Sequence, residues 1–187
     1  MGRVVWKGSA ITGPVPPALV TCASGDTVNV LTVGWTGIVN SHPPMTYVSI
    51  RPERYSYRMI DALGEFAINI PTSAMARETD LCGTLTGAKV DKIKKCGFTL
   101  LPSSAISVPV IAECPISLEC RVTQRLDLGS HSMFLAEILA IQADEKYIDS
   151  KGKLNLQQAG LLAYSHGEYF ALGRKCGNIG FSVTKKH

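Results

Sequence analysis

Asn29-Val30-Leu31-Thr32-Val33-Gly34-Trp35 reads as a β-strand, a β-branched apolar run interrupted only by small or hydroxyl residues and ended at Gly37. Alternation puts Asn29, Leu31, Val33 and Trp35 on one face and Val28, Val30, Thr32 and Gly34 on the other. One face thus carries an amide at one end and an indole at the other. The opposite face carries a hydroxyl and a glycine, where another group can approach the backbone closely. A flat ligand with polar edges suits that mixture. So does a plain core strand whose asparagine is satisfied internally.

Upstream, the proline-rich turn Gly13-Pro14-Val15-Pro16-Pro17 precedes a short strand, Leu19 to Ala23, and Ser24-Gly25-Asp26 turns the chain. Downstream, His42-Pro43-Pro44 interrupts the chain, because two prolines cannot sit in a central ladder. Met45 to Arg51 alternates as a strand. Pro52-Glu53-Arg54 opens a helix with Tyr55, Met59, Ile60 and Leu63 at helical spacing and Gly64 as its stop. Phe66 to Ile70 is again a strand. Residues 73 to 96 read as helical or irregular, broken by Cys82-Gly83-Thr84-Leu85-Thr86-Gly87, with Asp91 capping a short helix that ends at Gly97. Ile116, Leu118, Cys120, Val122 and Leu126 then alternate with Ser117, Glu119, Arg121, Thr123 and Arg125, a sheet with one wet face. After Gly129-Ser130, residues 131 to 143 are apolar on both faces; a barrel interior can cover one, and a helix or a second subunit must cover the other. Residues 144 to 160 read as loop, and Leu161 to Tyr164 and Tyr169 to Leu172 as short strands. Many short strands with few helices describe a mainly β chain, a closed or partly open antiparallel barrel.

The totals agree. A chain of 187 residues, 45% hydrophobic and 18% charged, with no linker, is expected to form one globular domain over 1–187. The net charge of +4 comes largely from Lys89 to Lys95 and Arg174 to Lys186. Few aromatics interleave there, which argues against nucleic acid as a partner, and a small anion explains the first cluster as well. The six cysteines show no CxxC and no Cys/His ligand spacing, and no basic-then-apolar leader begins the sequence. A reduced, cytoplasmic protein with buried thiols is expected; metal and disulfide readings rank low. No apolar run is long enough for a membrane span.

Gly83-Thr84-Leu85-Thr86-Gly87-Ala88-Lys89, with Lys92 beyond, gathers glycine N–H groups, hydroxyls and ammonium groups, the parts of a phosphate cradle. It lacks the spacing of a P-loop and the Lys-Ser/Thr pair that follows one, and it reads equally as a solvated turn with a basic helix face. Arg51, at a strand end, could add a fork-shaped anion contact or simply be exposed. Gly173, Gly177 and Gly180 lack dinucleotide-fingerprint spacing, neither GxSxG nor HExxH occurs, and no carboxylate pair suggests acid–base chemistry. His131 and His166 follow turn residues. What remains is a barrel with a flat-ligand face and an anion cradle, the requirements of a phosphorylated aromatic cofactor.

The order of the pieces carries a resemblance: Asn-Val-x-Thr-x-Gly-Trp; Pro43-Pro44; Ser49-Ile50-Arg51 with Tyr55-Ser56; Asn69-Ile70-Pro71; Cys82 to Gly87 leading to Asp91-Lys92; Gly129-Ser130-His131; Leu172-Gly173. From about Pro14 to Gly180 the chain resembles the flavin reductase-like, FMN-binding split-barrel family, and within it the flavoredoxin branch. The resemblance implies a six-stranded Greek-key split barrel, a homodimer, and one non-covalent FMN per subunit near the dimer interface. It places Asn29 and Trp35 at the flavin border, with Thr32, Ser49 and Arg51 as neighbours. Ser56, Thr86, Gly87 and Lys92 fall at the ribityl-phosphate end, and His131 and Tyr164 approach from the later strands. His131 is the residue it offers for a role at the flavin edge. The implied activity is an oxidoreductase passing hydride or electrons through FMN; a flavin-binding or flavin-storing module without turnover is the alternative. Electron donors are NAD(P)H or a redox carrier protein. Relatives that use NAD(P)H often carry Gly-Asp-His where this chain has Gly129-Ser130-His131, and Gly where it has Ala136, which favours the carrier protein.

Overall fold

The computed structural model describes residues 2–183. The chain opens with β1 (Ala18–Ser24) and β2 (Thr27–Val33), which pair antiparallel around the turn at Gly25, whose φ of 54° suits glycine. Next come β3 (Thr36–Ser41), β4 (Pro44–Ile50), α1 (Tyr55–Leu63) and β5 (Glu65–Ile70). A single 3₁₀ turn leads into α2 (Ala76–Thr84), and α3 (Lys92–Cys96) follows. The short pair β6 (Leu100–Leu101) and β7 (Val110–Ile111) precedes the long strands β8 (Ile116–Asp127) and β9 (Ser132–Ala143). A hairpin of β10 (Leu162–Ser165) and β11 (Glu168–Ala171) is the last of the strands and helices among the described residues. The basic run to Lys186 ends outside the described residues.

Seven strands form one sheet in the order β2-β1-β5-β8-β9-β4-β3. It curls so that its inner face encloses Val20, Leu31, Phe66, Ile68, Phe134 and Ile138, and the apolar face of α1 plugs it through Met59 and Ile60. This is a split barrel, mainly β with a few helices. The six-stranded count is exceeded by β3. Its Ile38 and Val39 are 67% and 50% exposed, and Gly37 and Asn40 dilute its apolar pattern, so it is an edge strand with little burial to mark it. The prolines that interrupt the sequence form the tip of the β3–β4 hairpin, where Pro44 pairs with Ser41 at the sheet edge.

A second core lies outside the barrel. Leu19 and Val30 point away from α1 and pack with Met75, Cys82, Phe98, Ile111 and Cys114 beneath α2 and α3. The β1–β2 ribbon is therefore buried on both sides, and whatever lies between α1 and α2 is walled by rigid elements.

Asp91 caps α3, accepting from the Lys94 N–H at 3.0 Å, and Gly97 ends it with φ 68°. The break expected from Cys82 to Gly87 begins later: α2 continues through Cys82, Gly83 and Thr84. Gly83 is a contact glycine, since a Cβ there would stand 3.3 Å from the Cβ of Thr32. The 144–160 segment holds two 3₁₀ turns, Glu145–Tyr147 and Leu156–Ala159.

Candidate functional site

Two cavities meet between the end of β2, α1 and α2. The first, about 370 Å³, is lined by Thr32, Trp35, Ser49, Arg51, His131 and Tyr164 among others. The second, about 280 Å³, is lined by Asn29, Ser56, Thr86, Gly87 and Lys92. Thr32, Arg51, Arg54, Leu31 and Gly83 border both, so they are two lobes of one cleft. Every residue expected at a cofactor lines one lobe or the other.

The first lobe is aromatic. Trp35, just past β2, stacks on His131 with ring centroids 4.4 Å apart and planes inclined by 39°. Opposite stand Tyr164 and Tyr169 of the β10–β11 hairpin, 5.5 Å between centroids. Val15 and Tyr164 exchange backbone hydrogen bonds at 2.9 Å, so the proline-rich turn fixes that hairpin. The His131 imidazole is held below its ordinary value of 6.5, first by burial and then by the charge of Arg51. The ring is therefore neutral at pH 7. Its Nδ1 lies 2.9 Å from the Ser130 hydroxyl, which leaves Nε2 for the lobe.

The second lobe is built for an anion. Lys92 is 3% exposed, and its ammonium donates to the carbonyls of Cys82 at 3.1 Å and Leu85 at 3.3 Å. An ammonium carries three donors, so one is left over. Burial pushes its pKa down, while the thiols of Cys82 and Cys22 oppose that shift. Among the described residues no carboxylate pairs with it. The N–H groups of Thr86 and Gly87 make no hydrogen bond among the described residues. The N-terminus of α1 opens into the same space at Tyr55 and Ser56, with no side-chain cap and no acid in its first turn. A buried cation, free amides and the positive end of a helix converge here, and the one carboxylate lining the lobe, Glu53, is paired with Arg51 at 3.7 Å. Gly87 is required there, because a Cβ would collide with the Asn29 amide and come within 2.8 Å of the Tyr55 ring.

Two residues serve the frame more than the cavity. The Thr32 hydroxyl donates to the Thr79 carbonyl at 2.5 Å, tying β2 to α2. The Asn29 amide donates to the Ser56 hydroxyl at 2.6 Å, fixing α1 against β2 and leaving the amide oxygen beside Gly87. The cradle is also shorter than its sequence: Gly83 and Thr84 lie within α2, so only the Thr86-Gly87 turn offers free amides.

Sequence reasoning missed Arg54, Asp80 and Tyr169. Arg54 lines both lobes and donates to the Gly83 carbonyl at 3.1 Å. Its place immediately before α1 was a usable signal. Asp80 accepts from the Tyr169 hydroxyl at 3.4 Å across the first lobe, and no local pattern joins residues so far apart. Burial, then the Asp80 charge, pushes the Tyr169 phenol up to about 12.

Residues 12–173 match the family model described as the flavin reductase like domain. An uncharacterized protein of Pyrococcus abyssi is 32% identical over 163 residues, covering 87% of this chain and 93% of its own length. Flavoredoxin of Desulfovibrio vulgaris (Miyazaki F) superposes with a TM-score of 0.90 at 26% identity, covering 98% of this chain and all of its own. Flavoredoxin from Methanosarcina acetivorans superposes with a TM-score of 0.88 at 28% identity, with the same coverage.

Proposed function

Because the chain belongs to the flavin reductase like family, with residues 12–173 matched, we propose that the cleft holds one non-covalent FMN and that the protein is a flavin-dependent oxidoreductase. The carrying observation is the second lobe: a buried, carboxylate-free Lys92 with the free amides of Thr86 and Gly87 and the uncapped α1 N-terminus. Such a lobe stabilises a phosphate and has no use for a neutral ribityl end. The adjoining aromatic lobe then receives the isoalloxazine.

FMN, when bound, supplies the redox chemistry by accepting and releasing hydride or electrons. The residues of the chain bind it, orient it and tune it. Trp35 and Tyr164 present flat apolar surface, and Asn29 and Ser56 border the polar chain between ring and phosphate. When the Ser130 hydroxyl donates to Nδ1 of His131, the imidazole proton sits on Nε2. A neutral donor there stabilises negative charge on a reduced ring without holding a permanent cation. Arg51 and Arg54 add positive potential between the lobes.

The same reading includes a homodimer in the cytoplasm. On β9 the inner residues Phe134, Ala136 and Ile138 enter the core, while Met133, Leu135, Leu139 and Ile141 stay on the outer face with a single charge, Glu137, among them. Among the described residues no helix packs extensively against β9. Ser49, which lines the aromatic lobe, pairs with Met133, and Tyr47 pairs with Leu135, so this apolar face runs to the cleft's edge. A second copy covering it would complete the wall beside the flavin ring.

The donor is a reduced carrier protein in preference to NAD(P)H, given Ser130 where an acid often stands in NAD(P)H-using relatives. Anaerobic mixing of the FMN-loaded protein with NADH, NADPH or a reduced carrier, followed by flavin bleaching, tests this. Bleaching by the carrier alone is expected; rapid bleaching by NADH overturns the donor assignment.

A further inference from the structure

Cys82, in the last turn of α2, and Cys96, the last residue of α3, hold their sulfurs 3.8 Å apart, and both are free thiols. Between them in the chain lies the whole Thr86-Gly87 turn, and Lys92 sits one helical turn before Cys96. The Cys82 carbonyl is itself a Lys92 partner. Cys82 is buried in the outer core with Met75 and Phe98, whereas Cys96 is packed against that core and partly exposed. The two thiols thus stand at the two ends of the loop that forms the anion lobe.

We propose that Cys82 and Cys96 form a reversible intramolecular disulfide by exchange with a small-molecule disulfide, and that this bond locks the Thr86-Gly87 turn around its anion. The sulfurs need to close from 3.8 Å to about 2 Å, a displacement that side-chain rotation and a small shift of α3 can supply. Cys96 is the entry point, because it is the more exposed thiol of the pair; burial pushes its pKa up, and the Cys82 hydrogen bond and the charges of Lys92 and Lys95 oppose that rise. Its thiolate attacks one sulfur of the small disulfide, giving a mixed disulfide and releasing one small thiol. Cys82, after losing its proton to solvent or to that thiolate, attacks the Cys96 sulfur and releases the second. Two protein thiols are oxidised and one small disulfide is reduced to two thiols. Cross-linked at both ends, the turn can no longer spread to let the phosphate go, so the oxidised form releases its ligand more slowly.

The disulfide stands on the sulfur geometry alone; the lock rests on the FMN reading. The test incubates the reduced full-length protein with oxidised glutathione, alkylates remaining thiols and maps the peptides. The expected product joins the Cys82 and Cys96 peptides, has lost two hydrogens, retains no glutathione and reverts with dithiothreitol. Cys96→Ser should abolish it. A stable glutathione adduct left on Cys96, or reaction confined to the exposed Cys176, overturns the disulfide. FMN release is then timed from both forms by recovery of flavin fluorescence. Several-fold slower release from the oxidised form is expected, and equal rates overturn the lock. If neither form binds FMN, the cofactor reading and the lock fail together, while the peptide map still decides the disulfide.

Discussion

Replacing Lys92 by Met removes the buried ammonium while keeping an unbranched stem of similar reach. In the native chain that ammonium already donates to the Cys82 and Leu85 carbonyls, leaving one donor for a phosphate oxygen. A charge-assisted hydrogen bond of this kind contributes about 1.5–3 kcal/mol, and more than a neutral bond because the group is almost fully desolvated. At about 1.4 kcal/mol per tenfold, FMN affinity should fall roughly 10- to 150-fold. Riboflavin lacks the phosphate, so its affinity should change little. The substitution also strips two carbonyls of a donor, which lowers stability; it removes an unpaired buried cation as well, which raises it. Thermal unfolding of the apo-variant separates that net change from the loss of ligand affinity. Fluorescence quenching titrations with FMN and riboflavin, on wild type and Lys92→Met, give all the numbers needed. Equal losses for the two flavins, or none for FMN in a folded variant, would refute the placement of phosphate at Lys92.

Gly87→Ala should weaken FMN binding by about 1–3 kcal/mol through overpacking against the Asn29 amide and the Tyr55 ring; unchanged affinity in the same titration would show that the turn has room. The His131 C2 proton followed by NMR in the apo-protein should titrate below 6.5. Because the folded pKa is lower than the unfolded one, this residue's contribution to stability is intact above about pH 6.5, declines as pH falls below it, and levels off beneath the folded pKa; a value at or above 6.5 would contradict the neutral ring. His131→Ala should leave FMN bound but move its midpoint potential to more negative values, and an unchanged potential would remove His131 from the flavin edge. Leu135→Glu, on the outer face of β9, should give monomers by sedimentation at low micromolar concentration, and a wild type already monomeric with flavin bound would overturn the dimer.

Local patterns exposed most of the frame. Alternation marked β4 and β8, turn-bounded runs of β-forming or apolar residues marked β1, β2, β5 and β9, and Gly64 and Gly97 marked helix ends because each adopts positive φ. β3 was hidden because it is held by edge hydrogen bonds to β4 with little apolar burial. Gly83 misled for a different reason: the sequence suggested a break, whereas the helix continues and the missing Cβ makes room for Thr32, a residue 51 positions earlier in the chain. Lys92 and the Thr86-Gly87 turn were legible as basic and glycine-rich, but the uncapped α1 N-terminus that faces them was not. Its role depends on how α1 meets β2, which the Asn29–Ser56 hydrogen bond sets. Asp80 and Tyr169 were illegible because the contact joins two elements that only the closed fold brings together.

The central claim is that the two lobes form one FMN site, and equilibrium titration of the purified wild-type protein with FMN, with riboflavin in competition, tests it most directly. Saturation at one FMN per chain is predicted, with a perturbed visible flavin spectrum and FMN bound at least tenfold more tightly than riboflavin, the factor that about 1.4 kcal/mol from the phosphate contacts would give. Flavin spectra that remain those of free solution, or equal affinities for FMN and riboflavin, would contradict it.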